Sequence, residues 1–426
     1  MDVPEITVIG LWHLGSVAVG GWTRSGRKVV AWDPEPILRR GIAGGHGPVA
    51  EPGLDEVLAA GIRGGLIRVV DDVVDAMAST SMVHLAFDTT VSPTGGHDDL
   101  RLDEAVRAFA AHAPDGALLL VSSQLHVGTC SDWRKLLDLE GRGHVLAYAP
   151  ENLRLGRALD DFLHPDRLLI GADDDDAFNM AAAALAPLSS APMRLALASA
   201  EMAKHATNAY LALCVAFGND LAWLSLNVGA DPDEVVTALR ADPRVSPTAP
   251  LRPGPAFSGA TLARDLAALR DLGSRYGRPG LFDAVIQANE RHAGIALTWL
   301  EDALATLSGA RIAVAGLTYK PGTSTLRDSL PLRLISQLLE RGATVAAWDP
   351  AAEPFEPPAG LTRAASFEAS VEGADALAVM TALPQLRDVD WRELRPARRL
   401  VIDGCMGVDR EAAERAGWSY RGLARA

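Results

Sequence analysis

The sequence predicts an α/β fold: two Rossmann-like, doubly wound domains joined by a helical middle domain. Three observations predict it. Strand, glycine turn and helix follow one another at the start of the chain and again after residue 310. Both copies end a strand on the same tripeptide, Trp32-Asp33-Pro34 and Trp348-Asp349-Pro350. Between them, from Ala198 to about Val228, apolar residues recur at helical spacing with one glycine, Gly218, and no proline. A chain of 426 residues has room for two or three domains at ~150 residues each. The boundaries expected are 1–190, 191–307 and 308–426.

The elements follow in order. Ile6-Thr7-Val8-Ile9 is a run of β-formers entering Gly10-Leu11-Trp12-His13-Leu14-Gly15, and a helical pattern continues through Arg24. Lys28-Val29-Val30-Ala31-Trp32 gives the second strand, closed by Asp33. Further strands are expected at Met82–Phe87, Leu118–Val121, His144–Tyr148 and Arg167–Ile170, most of them separated by helical segments as a doubly wound parallel sheet requires. One long helix opens the middle domain. The second α/β unit has strand Arg311–Ala315, a turn through Gly316-Leu317-Thr318-Tyr319-Lys320-Pro321-Gly322-Thr323 and a helix over Leu330–Glu340. Strands Thr344–Trp348, Ala376–Met380 and Arg399–Asp403 complete it. Two such domains about a helical spine predict a cleft in which a cofactor faces a substrate.

Composition narrows the partners. A net charge of −14 argues against a nucleic-acid surface. No uninterrupted apolar run reaches the roughly 18 to 20 residues of a membrane span, and the N-terminus lacks a basic n-region or cleavage site. Cys130, Cys214 and Cys405 are isolated and lack metal-ligand spacing, which suits a reducing cytoplasm. The scattered histidines form no metal constellation.

The first βαβ unit carries a dinucleotide signature. Gly10 and Gly15 supply the tight turn and the close helix–strand approach, with a pyrophosphate expected at the helix N-terminus. Trp12 stands where the pattern normally has its middle glycine, so its side chain must point away from the phosphates or the cofactor must sit further out. Asp33 would bond the adenosine ribose and repel a 2′-phosphate, which favours NAD over NADP. Elsewhere, Lys204 and Asn208 are four residues apart in a stretch of helix formers, which puts an ammonium and an amide on one face. The small residues of Arg252–Asp265 form a loop that lets backbone approach a ligand.

These segments, with several others in the same order, resemble the UDP-glucose/GDP-mannose dehydrogenase family. Glu51-Pro52-Gly53-Leu54 is similar to its EPGL, Ala149–Gly156 to its PEFLREG, and Pro165-Asp166-Arg167 to the stretch after it. Asn219–Ala222 resembles NELA, Asp242–Val245 the D-x-R-I run, Gly316–Thr323 GLAFKPGT, and Leu326–Ser329 the RES that follows. The resemblance implies NAD as cofactor, held by Gly10, Trp12, His13, Leu14, Gly15, Asp33, Thr89 and Arg327. It implies a nucleotide-linked substrate held by Glu151, Leu153, Arg154, Phe257, Ser258, Gly259 and Lys320, with Arg244 reaching a neighbouring subunit's substrate in a homodimer. Lys204 would stabilise an alkoxide as hydride leaves, Asn208 would donate to the same oxygen, and Asp265 would hold Lys204 and a water.

The departures cluster on one half of the family's chemistry. Two hydride transfers take a sugar CH2OH through an aldehyde to a carboxylate, and the second requires a thiol. The resemblance places Thr261 at that cysteine, Leu155 at the glutamate that helps activate the hydrolytic water, and Gln124 at the threonine that assists it. Ala256 and Ser258 replace glycines, Arg264 a lysine, and Cys405 an arginine, which makes Cys405 a candidate stray thiol. The expectation is an NAD-dependent dehydrogenase that stops at the aldehyde, giving one NADH per substrate. The alternatives are a four-electron 6-dehydrogenase giving a uronic acid, and a non-catalytic nucleotide-binding homologue.

Overall fold

The computed structural model describes residues 5–89, 100–189 and 191–423. They form two compact units, Met1–His205 and Ala206–Ala426, and the division falls inside one continuous helix, Leu197–Asn227.

The first unit is built on an eight-stranded sheet: β1 (Glu5–Ile9), β2 (Lys28–Trp32), β3 (Ile67–Val69), β4 (Met82–Leu85), β5 (Leu118–Val121), β6 (Val145–Tyr148), β7 (Leu169–Gly171) and β8 (Met193–Leu195). Their order is β3-β2-β1-β4-β5-β6-β7-β8. β1 lies between β2 and β4 and is parallel to both. Ile6, Thr7, Val8 and Ile9 are all buried, which is why this strand reads as an unbroken run rather than an alternating one. The buried Thr7 hydroxyl is satisfied by the Ala76 carbonyl at 2.9 Å. The strand order reverses between β1 and β4, and ligands of open α/β sheets bind beyond the strand ends at such a reversal.

The second unit carries a six-stranded, wholly parallel sheet: β9 (Arg311–Ala315), β10 (Thr344–Trp348), β11 (Leu361–Arg363), β12 (Ala376–Val379), β13 (Leu400–Asp403) and β14 (Ser419–Gly422), in the order β11-β10-β9-β12-β13-β14. Before it come the helices Pro232–Arg240, Ala260–Arg275, Gly280–Ala293 and Ile295–Ala303.

The internal repeat seen in the sequence is a repeat in space. Gly10 N donates to Trp32 O and Gly316 N to Trp348 O, both at 2.9 Å. Asp33 accepts from Leu11 N at 2.7 Å and Glu35 N at 2.8 Å. Asp349 accepts from Leu317 N at 2.8 Å and Ala351 N at 2.9 Å. In both sheets an aspartate at the end of the second strand therefore ties down the turn after the first.

Two expectations need correction. The first sheet is not wholly parallel: β7 runs antiparallel to β6. The strand expected over Met82–Phe87 ends at Leu85, with Ala86 N still donating to Ile9 O at 2.8 Å. The helix Leu197–Asn227 is, by length and composition, apolar enough to cross a membrane, with 44% of its most apolar window buried in the fold. A core helix passes the same test, since burial against protein selects the same side chains as burial in lipid.

Candidate active site

In the first unit the glycine turn has no spare room. Gly10 has φ +94°, and a Cβ on Gly15 would lie 1.7 Å from the Gly10 carbonyl oxygen. Any side chain at Gly15 would push the helix His13–Arg24 off β1. Trp12 precedes that helix with 41% of its surface exposed, and its ring meets His13 edge-on at 6.4 Å. His13 Nε2 bonds Glu51 Oε1 at 2.8 Å. The same carboxylate accepts from Gly156 N at 2.9 Å and Ala158 N at 3.1 Å. Glu51 of the EPGL-like run therefore ties the glycine turn to the segment after Asn152. Asp33 is 2% exposed. Burial raises its carboxyl pKa, opposed by the Glu35 and Leu11 amides.

Two groups of the first unit are not singled out by the sequence. Asp88, just past β4, accepts from Leu14 N at 3.0 Å. Glu201 accepts from Gly128 N at 2.6 Å and Cys130 N at 2.8 Å. An acidic residue just past a central strand beside the strand-order reversal was the available signal for Asp88. For Glu201 it was a lone acid in an otherwise apolar helix start.

Lys204 is 5% exposed. Its Nζ donates to the Glu151 carbonyl oxygen and lies 3.6 Å from Glu151 Oε1. His205 Nε2 bonds Leu125 O at 2.7 Å. Thr89, also buried, donates to Gln124 O at 3.2 Å. Glu201, Lys204 and His205 thus fix the start of the long helix against the loop after β5 and against the Glu151 segment, bringing Lys204, Glu151, Gln124 and Thr89 into one framework. Glu151 also accepts from Leu153 N. Arg154 is drawn away from this cluster: its guanidinium bonds Asp161 at 2.6 and 3.0 Å and reaches Asp166 at 3.3 Å.

In the second unit Asn208 donates through Nδ2 to Asp265 Oδ2, and both side chains are buried. The loop after Arg252 is held from outside. Asn219 Oδ1 accepts from Gly254 N at 2.9 Å, and His292 Nε2 bonds Gly254 O at 2.8 Å. Asn289 clamps Phe257 in both directions, Oδ1 accepting from its N at 2.8 Å and Nδ2 donating to its O at 3.0 Å. Burial lowers the His292 pKa, so the neutral ring serves the Gly254 carbonyl. Neither Asn289 nor His292 was picked out in the sequence; two polar residues three apart on the helix Gly280–Ala293 were the signal. Gly259 has φ +76°, and a Cβ there would come within 3.3 Å of the Tyr319 ring. Lys320 Nζ lies 5.5 Å from the centre of that ring. Ser258 is half-buried, and Thr261 is exposed in the first turn of the helix Ala260–Arg275.

The remaining positions have other partners. Arg244 is exposed and pairs with its neighbour Asp242 at 2.6 Å. Arg327 is half-exposed, 3.7 Å from Asp328. Cys405 is buried against Asp403, and burial together with that carboxylate raises its thiol pKa well above the usual range. A thiol so placed is inert, which removes the stray-thiol reading.

Family models match three successive stretches of the chain: the NAD binding domain of the UDP-glucose/GDP-mannose dehydrogenase family at residues 4–188, its central domain at 198–291 and its UDP binding domain at 313–410. UDP-glucose 6-dehydrogenase AglM of Haloferax volcanii is 30% identical over 98% of this chain and 100% of its own. This chain belongs to the UDP-glucose/GDP-mannose dehydrogenase family. UDP-glucose 6-dehydrogenase TuaD of Bacillus subtilis is 28% identical over 99% of this chain and 93% of its own. The structure of a UDP-glucose dehydrogenase from the archaeon Pyrobaculum islandicum superposes with a TM-score of 0.89 at 28% identity, covering 100% of this chain and 98% of that one. The family's cofactor is NAD, and the forced glycines at 10 and 15 and the aspartate at the end of β2 fit the adenine-ribose half of a dinucleotide.

Proposed function

We propose that this family member oxidises the primary alcohol of a UDP-linked sugar, using NAD. The observation that carries the reading is the buried pair on the long helix: Lys204 and Asn208 stand one turn apart, 5% and 7% exposed. A buried ammonium is costly unless it has work or partners. Here it would balance charge developing on the substrate oxygen as the hydroxyl proton and the carbon-bound hydride depart. Asn208, oriented by Asp265, would donate to the same oxygen. NAD supplies the hydride acceptor when bound. Such fixed donors typically contribute a few kcal/mol each.

The full-length relatives, being named UDP-glucose 6-dehydrogenases, favour oxidation through to the carboxylate. With Thr261 in place of a thiol, that outcome is open through the aldehyde hydrate. Water adds to the aldehyde, and the resulting diol presents its remaining C–H, whose hydride a second NAD would take, and a hydroxyl to the same Lys204–Asn208 pair. A second reading, release of the aldehyde after one NADH, is favoured by Thr261, Leu155 and Gln124 together. The test is a screen of UDP-sugars with NAD, counting NADH against aldehyde and acid. NADH formation from at least one UDP-sugar is expected. No turnover with any of them, despite NAD binding, would leave the chain a non-catalytic nucleotide binder.

The family-model spans support three functional parts, 1–190, 191–307 and 308–426. A homodimer belongs to the proposal as well. Tyr210, Phe217 and Leu224 recur every seven residues on the long helix and are 52%, 49% and 60% exposed, a seam that pairing would cover. Arg244, paired with Asp242, would then serve the neighbour's substrate. Sedimentation should give a dimer at micromolar concentration, and Phe217→Glu with Leu224→Glu should give monomers. A monomeric, fully active wild type would reject this. Three buried cysteines without a disulfide support a cytoplasmic location.

A further inference from the structure

We propose that Asp88 is a built-in competitor for the cofactor's pyrophosphate, and so sets a weak affinity for NAD. The inference rests on the reading that NAD occupies the first unit. The N-terminal amides of the helix after a Rossmann glycine turn ordinarily serve the dinucleotide phosphates. In this chain two amides of the turn and helix start, Leu11 N and Leu14 N, are already engaged by acids. Leu11 N goes to Asp33 and Leu14 N to Asp88 at 3.0 Å, while Ser16 N goes to the Trp12 carbonyl at 2.8 Å.

Asp88 comes from the end of β4, and the glycine turn follows β1. These two neighbouring strands bracket the point where the strand order reverses. The carboxylate therefore stands at the place the fold assigns to the doubly charged diphosphate. It acts in two ways: it occupies the Leu14 donor, and it presents a like charge to the incoming phosphates. Binding requires the carboxylate to give up Leu14. Asp88 is half-buried, so part of its side chain already meets solvent.

Asp88→Asn keeps the size and an acceptor for Leu14 but removes the charge; Asp88→Ala removes both. Calorimetry on the full chain should show NAD and ADP-ribose binding about tenfold tighter in Asp88→Asn and at least that in Asp88→Ala. Adenosine, which lacks phosphates, should gain nothing. The ligand-free melting temperature of Asp88→Ala should fall by about 2 °C, because a helix-capping bond is lost. A variant that melts earlier yet binds tighter is not explained by a merely structural role. Unchanged or weaker NAD binding in both variants, with wild-type binding intact, would overturn the proposal and leave the cofactor reading standing. Equal gains for adenosine would also overturn it. If neither wild type nor variants bind NAD, the cofactor reading falls and this inference falls with it.

Discussion

Lys204→Ala is expected to cut NADH formation at least about a hundredfold, with NAD affinity nearly unchanged. Losing one preorganised donor to a developing oxyanion typically costs a factor of 10² to 10³. The wild-type ammonium is placed to be such a donor: it is buried, sits on a helix fixed by Glu201 and His205, and faces the Glu151 segment. Lys204→Arg should recover little, because a planar guanidinium cannot reproduce a compact point charge in a space shaped for lysine. The measurement is initial rate under saturating NAD, with a thermal melt to show that the variant folds. Turnover within threefold of wild type would make the Lys204–Glu151 contact a purely structural tie.

Thr261→Cys has the second large effect. Position 261 lies in the first turn of a sixteen-residue helix whose N-cap is Gly259, and a helix N-terminus lowers a thiol's pKa. A cysteine there would be partly thiolate near neutral pH and able to add to the aldehyde; the tetrahedral adduct would pass its carbon-bound hydride to a second NAD, and water would cleave the resulting thioester to carboxylate and free thiol. Carboxylate formation from the aldehyde should rise at least about tenfold, while the alcohol-to-aldehyde step changes less than threefold. Thr261→Ala should leave both steps within threefold, since a hydroxyl is far less acidic than a thiol. Mass spectrometry of the quenched cysteine variant should catch an acyl adduct that wild type never shows. If Thr261→Ala abolished acid formation instead, threonine itself would be the nucleophile.

The central strands were legible in the sequence because parallel strands buried on both faces appear as short apolar runs. β1, β2, β5, β9 and β10 sit where those runs are. β3, β8, β11 and β14 were not foreseen. Each is short and lies at or next to a sheet edge, and β8 and β14 keep no fully buried residue, so no apolar run marks them. Within the site, spacing along one helix was enough to pair Lys204 with Asn208. It could not reveal that Asn289 and His292 grip Gly254 and Phe257 from 32 to 38 positions away. Nor could it show that Asp88 turns back onto Leu14. Those are products of topology, and a single sequence carries no record of which distant polar residue meets which backbone.

The grip of Asn219, Asn289 and His292 on Gly254 and Phe257 alters how the loop can evolve. Its course is dictated by side chains on two helices rather than by its own glycines. Ala256 and Ser258 therefore adopt ordinary backbone angles, and only Gly259 needs a left-handed one. The loop behaves as a cast held in an external mould: its inner lining can be exchanged residue by residue while its path stays put. A lineage in which Asn289 and His292 persist can drift at 256, 258 and 261, trying new substrates or a new product, without first having to refold the segment that touches them.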